Sequence, residues 1–225
     1  MNVDKREKNA RKHLHLSKNL AFEKLKAMDF ADVAGKAGGT LHEENEGIWV
    51  NYLGKPVRVA AQAMMITCEP DDWAEFGGAI QLKEEIFILH YLLQASGRIP
   101  TGNLIPFRSM DGGMAYESVF RARSVGRLLG AFRSREERLT DIGGIFGGIP
   151  GDLGNVSVRL RVLPQIEIEL VIWRGDDEIP SSGNIFFDES ITEYLPTEDC
   201  VVITESVVER FIHVLNQDTH GKNVC

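Results

Sequence analysis

Cysteine is scarce: Cys68, Cys200 and Cys225 are the only three in 225 residues, and none forms a C-x-x-C pair. That excludes a sequence-local zinc ribbon or ferredoxin-type cluster, and an odd, sparse set suits a reducing compartment. Long apolar runs are missing as well. The longest, Ile86 to Leu93, is interrupted by His90 and falls well short of the roughly 20 residues that span a bilayer. The N-terminus, Asn2-Val3-Asp4-Lys5-Arg6, reaches no apolar segment of a secretory signal. Nor is there a surplus of positive charge. A net charge of −8 disfavours nonspecific binding to nucleic acid or anionic membrane across the whole surface. Together these absences predict a cytoplasmic protein with no nucleic-acid and no membrane partner.

What is present is ordinary for a folded domain: 43% hydrophobic and 26% charged residues. The absence of repeats, low-complexity tracts and a linker predicts one α+β domain over 21–216. A basic helical arm precedes it at 1–20, and a tail follows at 217–225. Residues 1–26 hold eight Lys or Arg against Asp4, Glu7 and Glu23, a pattern read as a solvated helix with Leu14, Leu20, Phe22 and Leu25 as a partial apolar stripe.

A short helix is expected over Phe30 to Lys36, stopped by Gly38-Gly39. Strands are expected at Thr40 to Glu44, Ile48 to Tyr52 and Val57 to Ala61, forming a meander. Residues 69–79 read as a loop with about one helical turn. From Ile80 to Ser96, Leu82, Ile86, Leu89 and Leu93 mark a helix, with Gly97 as its left-handed cap. Phe87, Ile88 and Leu92 widen the stripe, so this helix should be central and buried on most sides. Helices are expected again from Ala115 to Phe132, Ser134 to Ile142 and Glu198 to Asn216. A strand over Cys200 to Thr204 is the rival reading of the last. The sum is an antiparallel sheet, meander plus C-terminal hairpin, packed with about four to five helices.

The hairpin can be argued from register. Val156, Val158, Leu160 and Val162 alternate with Ser157, Arg159 and Arg161; Ile166, Ile168, Leu170 and Ile172 alternate with Glu167, Glu169, Val171 and Trp173. A three-residue loop, Leu163-Pro164-Gln165, sets Val162 against Ile166, Arg161 against Glu167 and Arg159 against Glu169. One face is then aliphatic, and the other carries two charge pairs worth about 0.2–1 kcal/mol each near solvent. Pro164 is poorly placed for a tight type I turn.

Few motifs carry chemistry. Gly143-Gly144-Ile145-Phe146-Gly147-Gly148 has no preceding strand and no closing Gly-Lys-Ser/Thr, so it reads as a connector rather than a phosphate loop. His90, on the central helix, could serve as an axial or metal ligand or a general base, against a structural role with a carboxylate or backbone partner. His13 and His15, two apart on a helix, point away from each other. Arginines crowd at Arg98, Arg108, Arg121, Arg123, Arg127, Arg133, Arg135 and Arg138, while lysine is absent from Glu84 to Gly221. Guanidinium forks suit an anion pocket. The competing reading is internal pairing, because Pro164 to Asn216 holds twelve acidic residues against Arg174 and Arg210. Asp176-Asp177-Glu178 has too few spaced oxygens for a calcium loop. No triad, zinc-protease motif or catalytic carboxylate pair can be picked out.

Several segments taken in order resemble a known family. They are Gly54 after Tyr52-Leu53, Leu89-His90-Tyr91-Leu92-Leu93 through Gly97, Asp111-Gly112-Gly113 with Tyr116, and Gly147-Gly148. Leu163-Pro164, Trp173 with Gly175-Asp176-Asp177-Glu178-Ile179-Pro180, Phe187-Asp188 and Leu195-Pro196-Thr197-Glu198-Asp199 complete the set. Over about residues 21–215 the chain resembles the domain-of-unknown-function 3786 family, typical of anaerobic bacteria and archaea. The resemblance implies a setting beside corrinoid and one-carbon enzymes; without a cysteine cluster motif, this chain would hold no iron–sulfur centre of its own. It brings no established catalytic residues. The resulting expectation is a ligand-binding or accessory protein of anaerobic metabolism, with a corrinoid or other tetrapyrrole as ligand and a metabolic enzyme as partner. His90, Arg108, Tyr116, Trp173, Asp188 and Asp199 are its candidate ligand-binding residues, and no metal site is expected. The alternatives are an enzyme assembled around His90 with Tyr116, Asp188 or Asp199, or a protein–protein adaptor.

Overall fold

The computed structural model describes residues 2–42 and 47–221. Their order is α1 (Asn2–Lys26), α2 (Phe30–Lys36), β1 (Thr40–His42), β2 (Gly47–Tyr52), β3 (Lys55–Ala60), β4 (Met65–Thr67), α3 (Pro70–Ala74) and α4 (Leu82–Leu93). There follow β5 (Leu104–Pro106), α5 (Gly113–Phe120), a π turn (Arg121–Val125), α6 (Gly126–Phe132) and α7 (Arg138–Ile145). The chain ends with β6 (Ile149–Pro150), β7 (Val156–Leu163), β8 (Ile166–Trp173), β9 (Ser182–Asp188) and α8 (Thr197–Gly221). The fold is α+β, as the patterning predicts. The meander and the hairpin, however, belong to two antiparallel sheets rather than one: β1-β2-β3-β4, and β5-β9-β8-β7-β6.

The hairpin keeps the pairings read from sequence, Arg159 opposite Glu169 and Arg161 opposite Glu167. It closes differently: Leu163, not Val162, lies opposite Ile166, with a bulge between Arg161 and Leu163. The bulge absorbs one residue and leaves Pro164-Gln165 as the tip, which resolves the turn problem that Pro164 poses. A second correction concerns the outer face. Glu169 is fully buried and takes two bonds from Arg159, at 3.1 and 2.9 Å, because the backbone at Gly151 lies across it. This pair is not a surface pair.

β9 adds a strand that the hairpin pattern does not announce, and its Ile185 and Phe187 join the aliphatic face. α7 lies against β7 so closely that a Cβ at Gly143 would collide with the Val158 side chain. The glycine run is therefore the last turn of a packed helix as well as a connector.

α4 sits at the centre, with Ile86, Phe87, Ile88, Leu89, Tyr91 and Leu92 buried. It ends at Leu93 with Gln94 as its cap, so Gly97, at φ +85°, turns the following loop instead. Cys200 to Thr204 is helical, in the buried first half of α8. Arg123 and Arg127 reach Glu205 and Glu209 of α8 at 2.9 Å each, which is the internal pairing that the two charge excesses suggest.

One cluster fastens these parts. Arg210 of α8 donates from Nε to Glu84 Oε1 at 2.8 Å and from a terminal nitrogen to Oε2 at 2.5 Å. Tyr52 donates to Glu84 at 2.8 Å, and Arg210 also donates to the Phe76 carbonyl at 2.8 Å. Its guanidinium lies 4.6 Å from the Trp73 ring centre. Both charged side chains are almost fully buried. Removing one partner strands the other charge, so Arg210→Ala is expected to cost about 3–5 kcal/mol in a urea titration. Glu84→Leu with Arg210→Met should cost clearly less.

Candidate inter-sheet cleft

A hollow of about 790 Å³ opens where the two sheets meet. Its walls are turn tips. Gly54 comes from the β2–β3 turn, Gly38 from the end of α2, Gly147 from the end of α7, and Leu163 to Gln165 from the hairpin. The loop Ile99 to Gly102 closes one side, and Asn51, Arg161 and Glu167 supply polar lining. Gly38, Gly54, Gly102 and Gly147 all adopt left-handed φ values between +64° and +82°. At Gly38 an added Cβ would also press on Gln165 and Pro164, at 2.8 and 3.0 Å, so only glycine lets the chain turn this close to the hairpin tip.

Buried side chains hold the tips in place. Tyr91 of α4 donates to the Ala37 carbonyl at 2.5 Å and accepts from the Gln165 amide at 3.1 Å. Tyr194 donates to the Arg98 carbonyl at 2.7 Å. The Leu53 amide donates to the Val162 carbonyl at 2.9 Å, tying one sheet's turn to the other's hairpin. Asp188 accepts from the Gly102 amide at 2.6 Å and the Ser190 amide at 3.0 Å. It is the side chain that anchors the Ile99–Gly102 wall.

The six candidate residues do not share one site. His90 Nδ1 lies 2.5 Å from Asp199 Oδ2, and His90 lines a separate hollow of about 190 Å³ with Ser17, Leu20 and Lys24 of α1. Tyr116 is nearby: its phenol meets Glu198, whose bond and charge raise its pKa. Arg108 lies elsewhere, in a hollow of about 260 Å³ with Phe186, and the half-exposed Trp173 packs edge-on to Phe186. Asp188 alone belongs to the cleft, from behind its wall. Sequence reasoning missed Asn51, Thr101, Gly102 and Gln165. Each is a loop or strand-end residue whose neighbours arrive from distant parts of the chain, and no local pattern marks it. Among the described residues no group of three or more His, Cys, Asp or Glu is placed to hold a metal ion. No described helix is long and apolar enough to cross a membrane.

Burial pushes the Asp188 carboxyl upward, but the bonds from Ser190, Thr101 and Gly102 outweigh it and hold the pKa below the ordinary aspartate value. The stability this adds is complete above the unfolded-state pKa, about 3.9, and is lost as pH falls through the lower folded value. Urea midpoints of the wild type should therefore drop as pH falls below about 4, and Asp188→Asn should flatten that part of the curve.

No curated protein and no solved structure matches the chain. The family model described as Domain of unknown function (DUF3786) matches residues 29–210, which takes in both sheets, α4 and most of α8's buried half. This chain belongs to the DUF3786 family.

Proposed function

We propose that this protein is a small-molecule-binding accessory protein whose ligand occupies the cleft between the two sheets. The observation that carries the reading is the cleft itself: about 790 Å³, within the ~300–1,000 Å³ of ordinary ligand sites, with polar and apolar lining in one place. Five of the segments on which the family resemblance rests support it. Gly54, Gly147 and Leu163-Pro164 line the cleft, Asp188 pins its wall, and Tyr91 pins its floor. Binding is favoured over catalysis because the titratable side chains lining the cleft are Arg161 and Glu167, which pair with each other. The Thr101 hydroxyl that lines it is taken up by the Asp188 carboxylate at 3.4 Å as part of the wall. The free thiols Cys68 and Cys200 support a reducing, cytoplasmic setting. The anaerobic setting and a partner enzyme rest on the family resemblance.

A second reading rests on the His90–Asp199 pair. Asp199 fixes the imidazole through Nδ1, leaving Nε2 as the nitrogen for an axial bond or for proton transfer. A tetrapyrrole on that nitrogen would need α1 to lift, because the hollow of about 190 Å³ lies below the ~300 Å³ lower bound for ligand sites.

Native mass spectrometry of protein incubated with a cell metabolite extract tests the first reading. The wild type should retain a small molecule that Asn51→Trp, which fills the cleft from an exposed strand position, does not. Equal retention by both, or retention by neither, would contradict it. Absorbance titration with cobalamin and haem, with His90→Ala as control, tests the second; an unchanged spectrum ends it.

A further inference from the structure

Arg108 and Arg133 stand apart from the ion-paired arginines of the helical half. Arg98, Arg123, Arg127 and Arg138 each reach a carboxylate within 3.0 Å, whereas Arg108 appears in no ion pair among the described residues. It lines a hollow of about 260 Å³ bounded by the turn after β5, by α5 and the π turn, and by β9. Arg121 lines the same hollow, and its nearest carboxylate, Glu117, is 3.8 Å away, beyond a hydrogen bond. Asn184 and Phe186 form the β9 side.

Two further features point to a ligand. Arg121 begins the π turn that interrupts an otherwise continuous helix from Gly113 to Phe132. Such an insertion shifts the helical phase and re-aims a side chain, and it recurs at functional sites. Glu117, on the hollow's wall, carries a carboxylate oxygen, Oε2, that is buried and has no hydrogen-bond partner. An acceptor in that condition is costly unless something donates to it.

We propose that this hollow binds a small organic oxyanion that also carries a hydroxyl group. Arg108 and Arg121 supply the donor forks that suit a carboxylate or phosphate. The Glu117 carboxylate accepts from the hydroxyl, Asn184 offers a further donor, and Phe186 walls the carbon skeleton. Two guanidinium charges against one carboxylate leave the site net positive, so a singly charged hydroxy acid or a phosphate monoester of an alcohol fits better than a zwitterion. The site shares no lining residue with the inter-sheet cleft, and neither proposal depends on the other.

Isothermal titration calorimetry with glycolate, acetate and glycerol 2-phosphate separates the possibilities. Glycolate should bind at least about tenfold more tightly than acetate, the size of one charge-assisted hydrogen bond, and glycerol 2-phosphate tells whether the oxyanion is carboxylate or phosphate. Arg108→Gln should weaken whichever binds by about tenfold or more. Glu117→Ala should erase the preference for glycolate over acetate. Arg108 is exposed and Glu117 partly exposed, so unchanged thermal melting should accompany both variants. No saturable heat with any of the three, affinity indifferent to Arg108→Gln, or equal binding of glycolate and acetate by the wild type would overturn the proposal.

Discussion

The buried ion pair of Glu84 and Arg210 is the constraint on which the arrangement of this fold depends. Two charges placed in an apolar interior are tolerated only when every lone pair and N–H finds a partner. Here Tyr52, the Gln81 amide and the Phe76 carbonyl complete the set. Because those partners come from β2, the start of α4, the loop after α3 and α8, satisfying the pair fixes four parts of the chain at once. Such a cluster adds little net stability compared with a well-packed apolar one; its contribution is to penalise any other packing of α4 against α8.

With α4 fixed at its first turn, its last turn is fixed too, and there Tyr91 meets the end of α2 and the tip of the hairpin. The inter-sheet cleft is thus a consequence of the core. The two sheets meet directly where β2 lies beside β7, and the gap left at their turn ends is edged by glycines. A rigid frame with backbone-rich walls suits binding, since little ordering is left for the ligand to impose. The corner at His90 is built otherwise. It is covered by α1, whose Phe22 and Leu25 are buried in the core and whose Lys18 reaches Glu85 at 2.7 Å.

The parts legible in sequence are those governed by local periodicity. Val156–Val162 and Ile166–Ile172 alternate with period two, and their arginines and glutamates confirm one another's register; α4 and α8 declare themselves by spacing. The single-residue bulge near Val162 was not legible, because either closure keeps the same faces for most of the hairpin. β9 was missed because Ser182-Gly183-Asn184 begins it with residues depleted in strands, and only burial between β8 and β5 overrides that preference. The separation into two sheets, the Glu84–Arg210 contact across 126 positions and the cleft all arise from long-range closure, which leaves no trace in a window of twenty residues. Asp188 was singled out, but by family resemblance, and its role as the anchor of the Ile99–Gly102 wall needed the structure.

The central claim is that the gap between the sheets is where this protein meets its ligand. Amide chemical-shift mapping with a library of small polar fragments tests it most directly. The account predicts that the largest shifts gather on Gly38, Gly54, Gly102 and Gly147, four amides far apart in sequence that edge one hollow. Shifts that gather instead on His90 and its neighbours in α1, or that scatter without a common hollow, would contradict it.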